Sequence, residues 1–279
     1  GGNAFDAAVT VSAVLSVVEP YSSGLGGGGF FLLHSIEKDE SIFIDAREKA
    51  PSMANRDMYL DKNGDVLRTA SLNGPLASGI PGLPAALHHV SNKHGSMPLY
   101  KLLQPAIRLA REGFPAYERL ITALTVAERS RTLSPKFKAV FMPNGKLPNI
   151  GEIIKQPELA KTLEIIASSG QEGFYNSFFT ETMVQEARQD GSIWLEEDFE
   201  NYSVVEREPI TINFLGAQLT TAPPPSSGGT TIATILNIIS EFDFSGMETS
   251  ARAHLIVEAM RRAYSCLLYT SDAADDRDS

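Results

Sequence analysis

Arg47 is the residue whose type and position most directly suggest chemistry. It lies in the run Asp45-Ala-Arg-Glu-Lys-Ala-Pro51, where an apolar, strand-like stretch gives way to a loop that ends at a proline. A guanidinium presents its N–H donors in a planar fork and holds a carboxylate through two parallel hydrogen bonds, which an ammonium cannot reproduce. Arg47 is therefore a candidate carboxylate-binding residue, although an arginine beside Glu48 and Lys49 also fits a solvated surface charge.

A glycine-rich loop, residues 24–29, precedes that run. Its letters satisfy G-x-G-x-x-G, but a dinucleotide site needs a strand before the glycines and a helix after them. Here the predicted order is reversed, so the pattern does not indicate a nucleotide site. Glycines let the backbone approach another group closely, and we expect that group to be a ligand or another segment of the chain.

A second loop, residues 221–231, contains the run Pro-Pro-Pro-Ser-Ser-Gly-Gly. The prolines fix an extended path. Ser226 and Ser227 can cap the helix that follows, and the glycine pair permits close packing. A nucleophilic serine is conceivable, but the Gly-x-Ser-x-Gly context is absent and the sequence marks no base. We therefore interpret the loop as capping and packing.

Composition excludes several classes of protein. The 279 residues carry 34 acids against 24 bases, a net charge of −10, so a nucleic-acid-binding surface is not expected. Cys266 is the only cysteine, which rules out an intrachain disulfide and a cysteine metal cluster. The five histidines, including the adjacent His88 and His89, lack metal-ligand spacing. No metal and no cofactor is expected.

Strands and helices are predicted in separate blocks, which is typical of an α+β layered fold. Asn3 is the expected N-cap of the first helix and Pro20 its stop. The predicted helices are 3–18, 84–93, 98–112, 118–131, 157–169, 178–190, 229–241 and 249–263. The predicted strands form two hairpins, 30–35 with 41–45 and 210–214 with 218–222.

Taken together, these segments resemble the large-subunit portion of the gamma-glutamyltranspeptidase (glutathione hydrolase) family. Each motif is weak alone, but their order is highly specific and covers essentially residues 1–264. The matching segments are residues 1–8, 25–30, 45–51, 79–82, 99–114, 223–229, 236–238 and 261–264.

The resemblance implies an N-terminal-nucleophile hydrolase fold, a four-layer αββα sandwich that is incomplete here because the small subunit is missing. Precursors of this family cut themselves before a threonine, whose freed amine and hydroxyl then act as base and nucleophile. That threonine begins the small subunit, so the resemblance places the nucleophile beyond the end of this chain. Thr230 and Thr231 are not substitutes, because they follow Gly-Gly inside the large-subunit motif.

For Arg47 the resemblance implies binding of the α-carboxylate of a gamma-glutamyl group. Asp45 and Glu48 flank it and either orient the guanidinium or serve as surface charges. The expected activity is gamma-glutamyl transfer and hydrolysis through a threonine acyl-enzyme. Glutathione and its conjugates are the expected donors, and amino acids, peptides or water the acceptors.

Two alternatives stay open. Acylases that cleave glutaryl side chains from β-lactams such as cephalosporins share this fold, and the residues that would recognise the α-amino group belong to the small subunit. A different class is a non-enzymatic module that captures small carboxylates with Arg47. That module would be a complete, stable domain, whereas a large-subunit portion would expose an apolar edge.

The last fifteen residues differ from the rest. Residues 265–279 turn abruptly to small and acidic side chains. We interpret them as a non-native, disordered tail joined to the family portion at 1–264, which places Cys266 outside the native domain. Bacterial members of the family are usually exported, so a periplasmic or secreted location is expected, with the signal peptide outside this sequence.

Overall fold

A computed structural model describes residues 1–130 and 133–275, with short strands among many helices. The strands are β1 (Gly29–Ser35), β2 (Glu40–Ala46), β3 (Phe114–Pro115), β4 (Ile153–Ile154), β5 (Val205–Arg207), β6 (Ile210–Phe214) and β7 (Ala217–Thr221). The helices are α1 (Ala4–Val18), α2 (Pro20–Ser23), α3 (Leu83–His94), α4 (Leu99–Leu102), α5 (Gln104–Glu112), α6 (Glu118–Ser130), α7 (Pro135–Phe141), α8 (Pro157–Ser169), α9 (Glu172–Tyr175), α10 (Phe178–Gln189), α11 (Glu196–Glu200), α12 (Ser227–Ser240) and α13 (Thr249–Asp275). A 3-10 turn covers Pro75–Ala77. The α+β class is confirmed; residue 131, the predicted end of the α6 segment, lies outside the described residues.

The chain folds into two compact units, the first formed by Gly1–Gly29 and Ala46–Val204. In this unit α1 packs against α3 and α5, and α5 packs against α8. Val9, Ala13 and Val17 recur every four residues along α1 and are fully buried, because that spacing places them on one face of a helix. Asn3 is the N-cap, as predicted, and α1 ends two residues before Pro20.

The segment predicted as one helix over 98–112 is divided at Leu103 into α4 and α5. Pro105 stands in the first turn of α5, where its missing N–H removes no helical hydrogen bond. Placed inside one continuous helix, the same proline would remove a bond and clash with a preceding carbonyl. Gly113 ends α5 with a φ of 100°, as its position in the sequence predicts.

The second unit comprises Phe30–Asp45 and the chain from Val205 onward. Its three-stranded sheet has the order β1-β2-β5, and β2 pairs antiparallel with β5 in a register that sets Phe43 opposite Arg207 and Asp45 opposite Val205. The strands β6 and β7 form the second predicted hairpin around Gly216, and α12 packs on β6 and α13. Both predicted hairpins are thus confirmed.

Helix α13 continues to Asp275, beyond its predicted end at 263. The expectation of disorder is therefore wrong for residues 265–275; this stretch contains leucine and alanine, which favour helix, and neither glycine nor proline. Residues 276–279 lie outside the described residues, and the non-native origin of the tail stays a prediction. No helix in the described part of the chain combines the length and the apolar character needed to cross a membrane.

Asp6 ties the start of α1 to the loop between α3 and α4. Its carboxylate accepts hydrogen bonds from the backbone N–H of Asn3 at 2.7 Å, of Ser96 at 3.0 Å and of Met97 at 3.2 Å, and from the Ser96 hydroxyl at 2.6 Å. Only 2% of Asp6 is exposed. Burial acts to raise the pKa of this carboxyl, but the donated hydrogen bonds outweigh it and lower the pKa below its ordinary value of 3.8.

We expect Asp6→Asn to lower the free energy of unfolding at neutral pH by about 1–3 kcal/mol, because an amide replaces one charged acceptor oxygen with a donor. Urea unfolding followed by circular dichroism measures this change. Asp57→Asn is the matched control, since Asp57 is exposed and its substitution should stay within about 0.5 kcal/mol.

Comparing the unsubstituted chain with Asp6→Asn also tests the direction of the pKa shift of Asp6. A carboxyl whose folded pKa lies below its unfolded value stabilises the protein above the unfolded value, and this contribution is lost as pH falls through the folded pKa. The unfolding free energy of the unsubstituted chain should therefore fall more steeply below pH 3.8 than that of Asp6→Asn. Parallel pH profiles would contradict the assignment.

Candidate substrate-binding site

Arg47 is the first exposed residue after the buried end of β2. The three residues before it, Ile44 to Ala46, are buried, and the chain then opens into the exposed segment 47–50. Lys49 holds this segment to Ile80 through two backbone hydrogen bonds, of 3.2 Å from the Lys49 N–H and 2.8 Å from the Ile80 N–H. The expected position of Arg47 at the mouth of a strand is confirmed.

The glycine-rich loop packs directly on the segment that carries Arg47. The N–H of Gly28 donates to Oε1 of Glu48 at 2.8 Å. A Cβ atom on Gly28 would lie 2.5 Å from the carbonyl oxygen of Ala46 and 2.8 Å from the nitrogen of Glu48. Of the two expected reasons for a glycine, close packing against another segment of the chain therefore applies at Gly28.

A third segment, the Pro81-Gly82 turn, closes on the same place. The Gly27 carbonyl accepts hydrogen bonds from the N–H of Gly82 at 2.9 Å and of Leu83 at 3.0 Å, where α3 begins. A Cβ on Gly82 would overlap the carbonyl oxygen of Ala46 and the hydroxyl of Tyr202. Residues 27–28, 46–48 and 82 thus lie close together, and a side chain on Gly28 or Gly82 would clash with the backbone of Ala46.

Tyr202 is a residue of this arrangement that the sequence did not reveal. Its hydroxyl donates to the carbonyl oxygen of Arg47 at 2.9 Å, and only 5% of the residue is exposed. The ammonium of Lys49 lies 5.0 Å from the centre of its ring. Tyr202 and Arg47 are 155 residues apart, so no local sequence pattern links them. The one available hint is that Tyr202 follows α11 closely, and a buried tyrosine needs a hydrogen-bond partner for its hydroxyl.

The acids that flank Arg47 each have a partner of their own. Asp45 is 8% exposed, and its Oδ2 accepts from Nε of Arg207 at 3.0 Å and from Nη2 at 2.9 Å. Pairing of this kind is what a buried carboxylate requires. Glu48 accepts from Gly28, as described above. Asp45 and Glu48 thus have structural partners, and their orientation of the guanidinium stays a prediction.

The proline-rich loop behaves only partly as predicted. Ser226 occupies the N-cap position of α12, but its side chain makes no capping hydrogen bond, so that expectation is wrong for Ser226. The hydroxyls of Thr230 and Thr231 donate to the carbonyl of Ser227 at 3.0 and 2.7 Å. A Cβ on Gly229 would overlap the Ala222 carbonyl, which confirms the expected close packing for Gly229, whereas a Cβ on Gly228 would lie 3.7 Å from Oγ of Ser226, an ordinary contact. The peptide bond between Pro224 and Pro225 is cis.

Metal-ligating side chains show no cluster over the described ranges: no group of three or more His, Cys, Asp or Glu is arranged to hold an ion. The thiol of Cys266 is exposed on α13.

Comparison with known proteins finds similar sequences and similar structures. A family model described as gamma-glutamyltranspeptidase matches residues 1–275. The glutathione hydrolase proenzyme of Escherichia coli (strain K12) is 40% identical over 267 residues, which are 95% of this chain and 46% of that protein. The crystal structure of Helicobacter pylori gamma-glutamyltranspeptidase aligns with a TM-score of 0.90 at 37% identity, covering 95% of this chain and 76% of the other. A cephalosporin acylase from Bacillus halodurans aligns with a TM-score of 0.83 at 28% identity, covering 95% and 49%.

These structural neighbours define the class: the fold is of the N-terminal-nucleophile hydrolase type, as the resemblance predicts. The chain belongs to the gamma-glutamyltranspeptidase family. It spans about half the length of the curated relatives it matches, 46% in the case of the Escherichia coli protein.

Two glycines of one loop provide a matched test of the packing around Ala46. We expect Gly28→Ala to lower the free energy of unfolding by about 1–3 kcal/mol, because the new methyl group meets backbone atoms that cannot move aside. A Cβ on Gly26 meets nothing within 4 Å. Gly26→Ala should therefore leave stability unchanged or raise it by up to about 1 kcal/mol. Urea unfolding measures both, and equal effects at the two positions would refute the packing account.

Proposed function

We propose that this chain is the large-subunit portion of a longer parent protein that transfers and hydrolyses gamma-glutamyl groups. The donors are glutathione and its conjugates, and the acceptors are amino acids, peptides or water. The observation that carries the proposal is the place of Arg47, exposed at the end of β2 inside a chain that the gamma-glutamyltranspeptidase model matches from residue 1 to residue 275.

Arg47 binds the α-carboxylate of the gamma-glutamyl group. A charge-assisted pair of this kind contributes about 1.5–3 kcal/mol, or roughly a factor of ten to a hundred in affinity. The carboxylate and the gamma-carbonyl carbon stand at opposite ends of a short chain. Anchoring the first therefore limits where the second can lie, and the energy of the contact appears mainly in the affinity for the donor.

The chemical step belongs to a threonine at the start of the small subunit, which the parent exposes by cutting its own chain. The threonine amine takes the proton of the threonine hydroxyl, and the oxygen attacks the gamma-carbonyl carbon. The leaving amine departs with that proton, and the gamma-glutamyl group remains as an ester of the threonine. Water or the amine of an acceptor then attacks the ester and releases the threonine.

The small subunit is also the proposed partner of this chain. Large apolar side chains are exposed in the second unit: Val257 and Tyr264 on α13 are 51% and 52% exposed. Others in that unit are Leu219, Ile232, Phe242, Ile256 and Met260. Exposed apolar side chains in such number are characteristic of surfaces that another polypeptide covers. They fit the expected apolar exposure of a large-subunit portion.

A glutaryl acylase is the second candidate, favoured by the alignment with the cephalosporin acylase of Bacillus halodurans. A glutaryl group keeps the terminal carboxylate that Arg47 would bind and lacks only the α-amino group. Turnover of gamma-glutamyl and glutaryl anilides by the parent protein separates the two, because only a gamma-glutamyl enzyme prefers the first. Membership of the family favours either enzyme over a carboxylate-binding module.

In the parent protein, we expect Arg47→Lys to raise KM for a gamma-glutamyl anilide by about 10–100-fold, because an ammonium cannot form the two-pronged contact. The value of kcat should change much less, since the lost interaction is present in the ground state and in the transition state alike. Steady-state kinetics measures both.

Arg56→Lys is the control for that experiment, since Arg56 is an exposed arginine a few residues further along the same chain. Its kinetics should match those of the unsubstituted protein. An unchanged KM in Arg47→Lys would remove Arg47 from the substrate site.

The chain of 279 residues by itself should not turn over a gamma-glutamyl anilide, because the nucleophile is proposed to lie outside it. Release of the aniline by purified chain and by purified parent protein, compared at equal concentration, measures this. Turnover by the chain alone would overturn the assignment of the nucleophile.

A further inference from the structure

A distant side chain, that of Tyr202, forms a hydrogen bond to the backbone of Arg47. Its hydroxyl donates to the Arg47 carbonyl oxygen at 2.9 Å. That oxygen belongs to the peptide plane between Arg47 and Glu48. A donor fixed on it therefore sets the direction in which the chain leaves β2, and with it the point from which the guanidinium side chain extends.

Tyr202 is itself held firmly. Its ring stacks on Tyr175 with 5.3 Å between the centroids and 10° between the planes. The Tyr175 hydroxyl donates to the Pro81 carbonyl at 2.7 Å and accepts from the N–H of Ala85 at 3.3 Å. Burial raises the pKa of Tyr175, so its hydroxyl keeps the proton that it donates. The stacked pair is thus anchored at the start of α3.

The backbone at Gly82 packs closely on the Tyr202 hydroxyl. The hydroxyl of Tyr202 and the carbonyl of Ala46 lie so near Gly82 that a Cβ there would overlap both atoms. The surroundings of the hydroxyl are therefore closely packed where it meets Gly82. A hydrogen-bond donor that is buried, stacked on a second ring and closely packed at its hydroxyl is suited to positioning rather than to reaction.

We propose that Tyr202 is a positioning residue for substrate: its ring stacks on Tyr175, its hydroxyl packs on Gly82, and that hydroxyl fixes the peptide plane from which Arg47 reaches the carboxylate of the donor. The inference rests on the proposed function of Arg47 and adds a second residue to it. A contact of this kind matters because two parallel hydrogen bonds to a carboxylate tolerate little displacement of the guanidinium.

The test is Tyr202→Phe in the parent protein, which removes the hydroxyl and keeps the ring. We expect KM for a gamma-glutamyl anilide to rise about three- to tenfold, the effect of one lost hydrogen bond, with kcat changed less than about twofold. Tyr117→Phe is the matched control, because its hydroxyl also donates to a backbone carbonyl, that of Val18, at 2.9 Å. Its KM should stay unchanged.

A double substitution separates positioning from simple loss of stability. In the Arg47→Lys background the two-pronged contact is already gone, so adding Tyr202→Phe should raise KM less than about twofold. A tyrosine that only stabilises the fold would instead add the same factor in both backgrounds, and that result would overturn the proposal. An unchanged KM in Tyr202→Phe alone would overturn it as well.

A further variant keeps the test decisive if Tyr202→Phe does not fold. Tyr175→Phe leaves the Tyr202 hydroxyl in place but removes the hydrogen bonds that anchor the stacked pair, and a smaller rise in KM is expected. No rise would count against the proposal. Failure of the proposed function has a different signature: either the parent does not turn over gamma-glutamyl donors, or Arg47→Lys leaves KM unchanged.

Discussion

The close approach of three backbone segments at the end of β2 is the constraint on which the candidate site depends. Gly28 and Gly82 reach the carbonyl of Ala46 at distances that leave no space for a Cβ atom. Ala46 is itself fully buried, so the segments cannot separate without opening the interior. Contacts between backbones are stiffer than contacts between side chains, because neither partner has a rotamer to change. The first exposed residue after this junction, Arg47, therefore starts from a fixed place even though its own side chain is exposed.

Within the second unit, an ion pair stabilises the strand β2. The buried carboxylate of Asp45 is compensated by Arg207, which stands on β5 opposite Phe43 in the antiparallel register. A buried carboxylate without such a partner would cost several kcal/mol, roughly the stability of a marginal domain, so the pair restricts the register in which β2 and β5 can associate. Glu48 is bound to the N–H of Gly28. Each acid thus stabilises its own unit: Asp45 the pairing of β2 with β5, and Glu48 the glycine-rich loop.

Local sequence patterns predicted the longer helices and both hairpins, but they missed short elements such as β5 and α7 and the contacts between elements. The N-cap Asn3, both hairpins and the exposed Arg47 follow from signals that span a few residues. Pro105 is a local signal from which the break at Leu103 could have been predicted. The acidic composition after residue 264 suggested disorder, but the helix α13 continues to Asp275. Tyr202 could not be found in this way, because neither its side-chain type nor its neighbours in sequence indicate which carbonyl it will meet. Contacts across 155 residues depend on tertiary packing, which no periodicity encodes.

Under the proposed function, recognition and reaction are carried by different parts of the parent protein. The contact with a remote carboxylate is present alike in the ground state and in the transition state, so it lowers KM without raising kcat. A rigid anchor binds the donor more tightly than a mobile one, because less conformational freedom is lost on binding. The backbone junction around Ala46 supplies this rigidity before any substrate binds. The segment that carries Arg47 is therefore already ordered, and binding does not include the cost of ordering it. The glycines and Tyr202 therefore contribute to substrate binding without touching the substrate, and their substitution would be felt at Arg47.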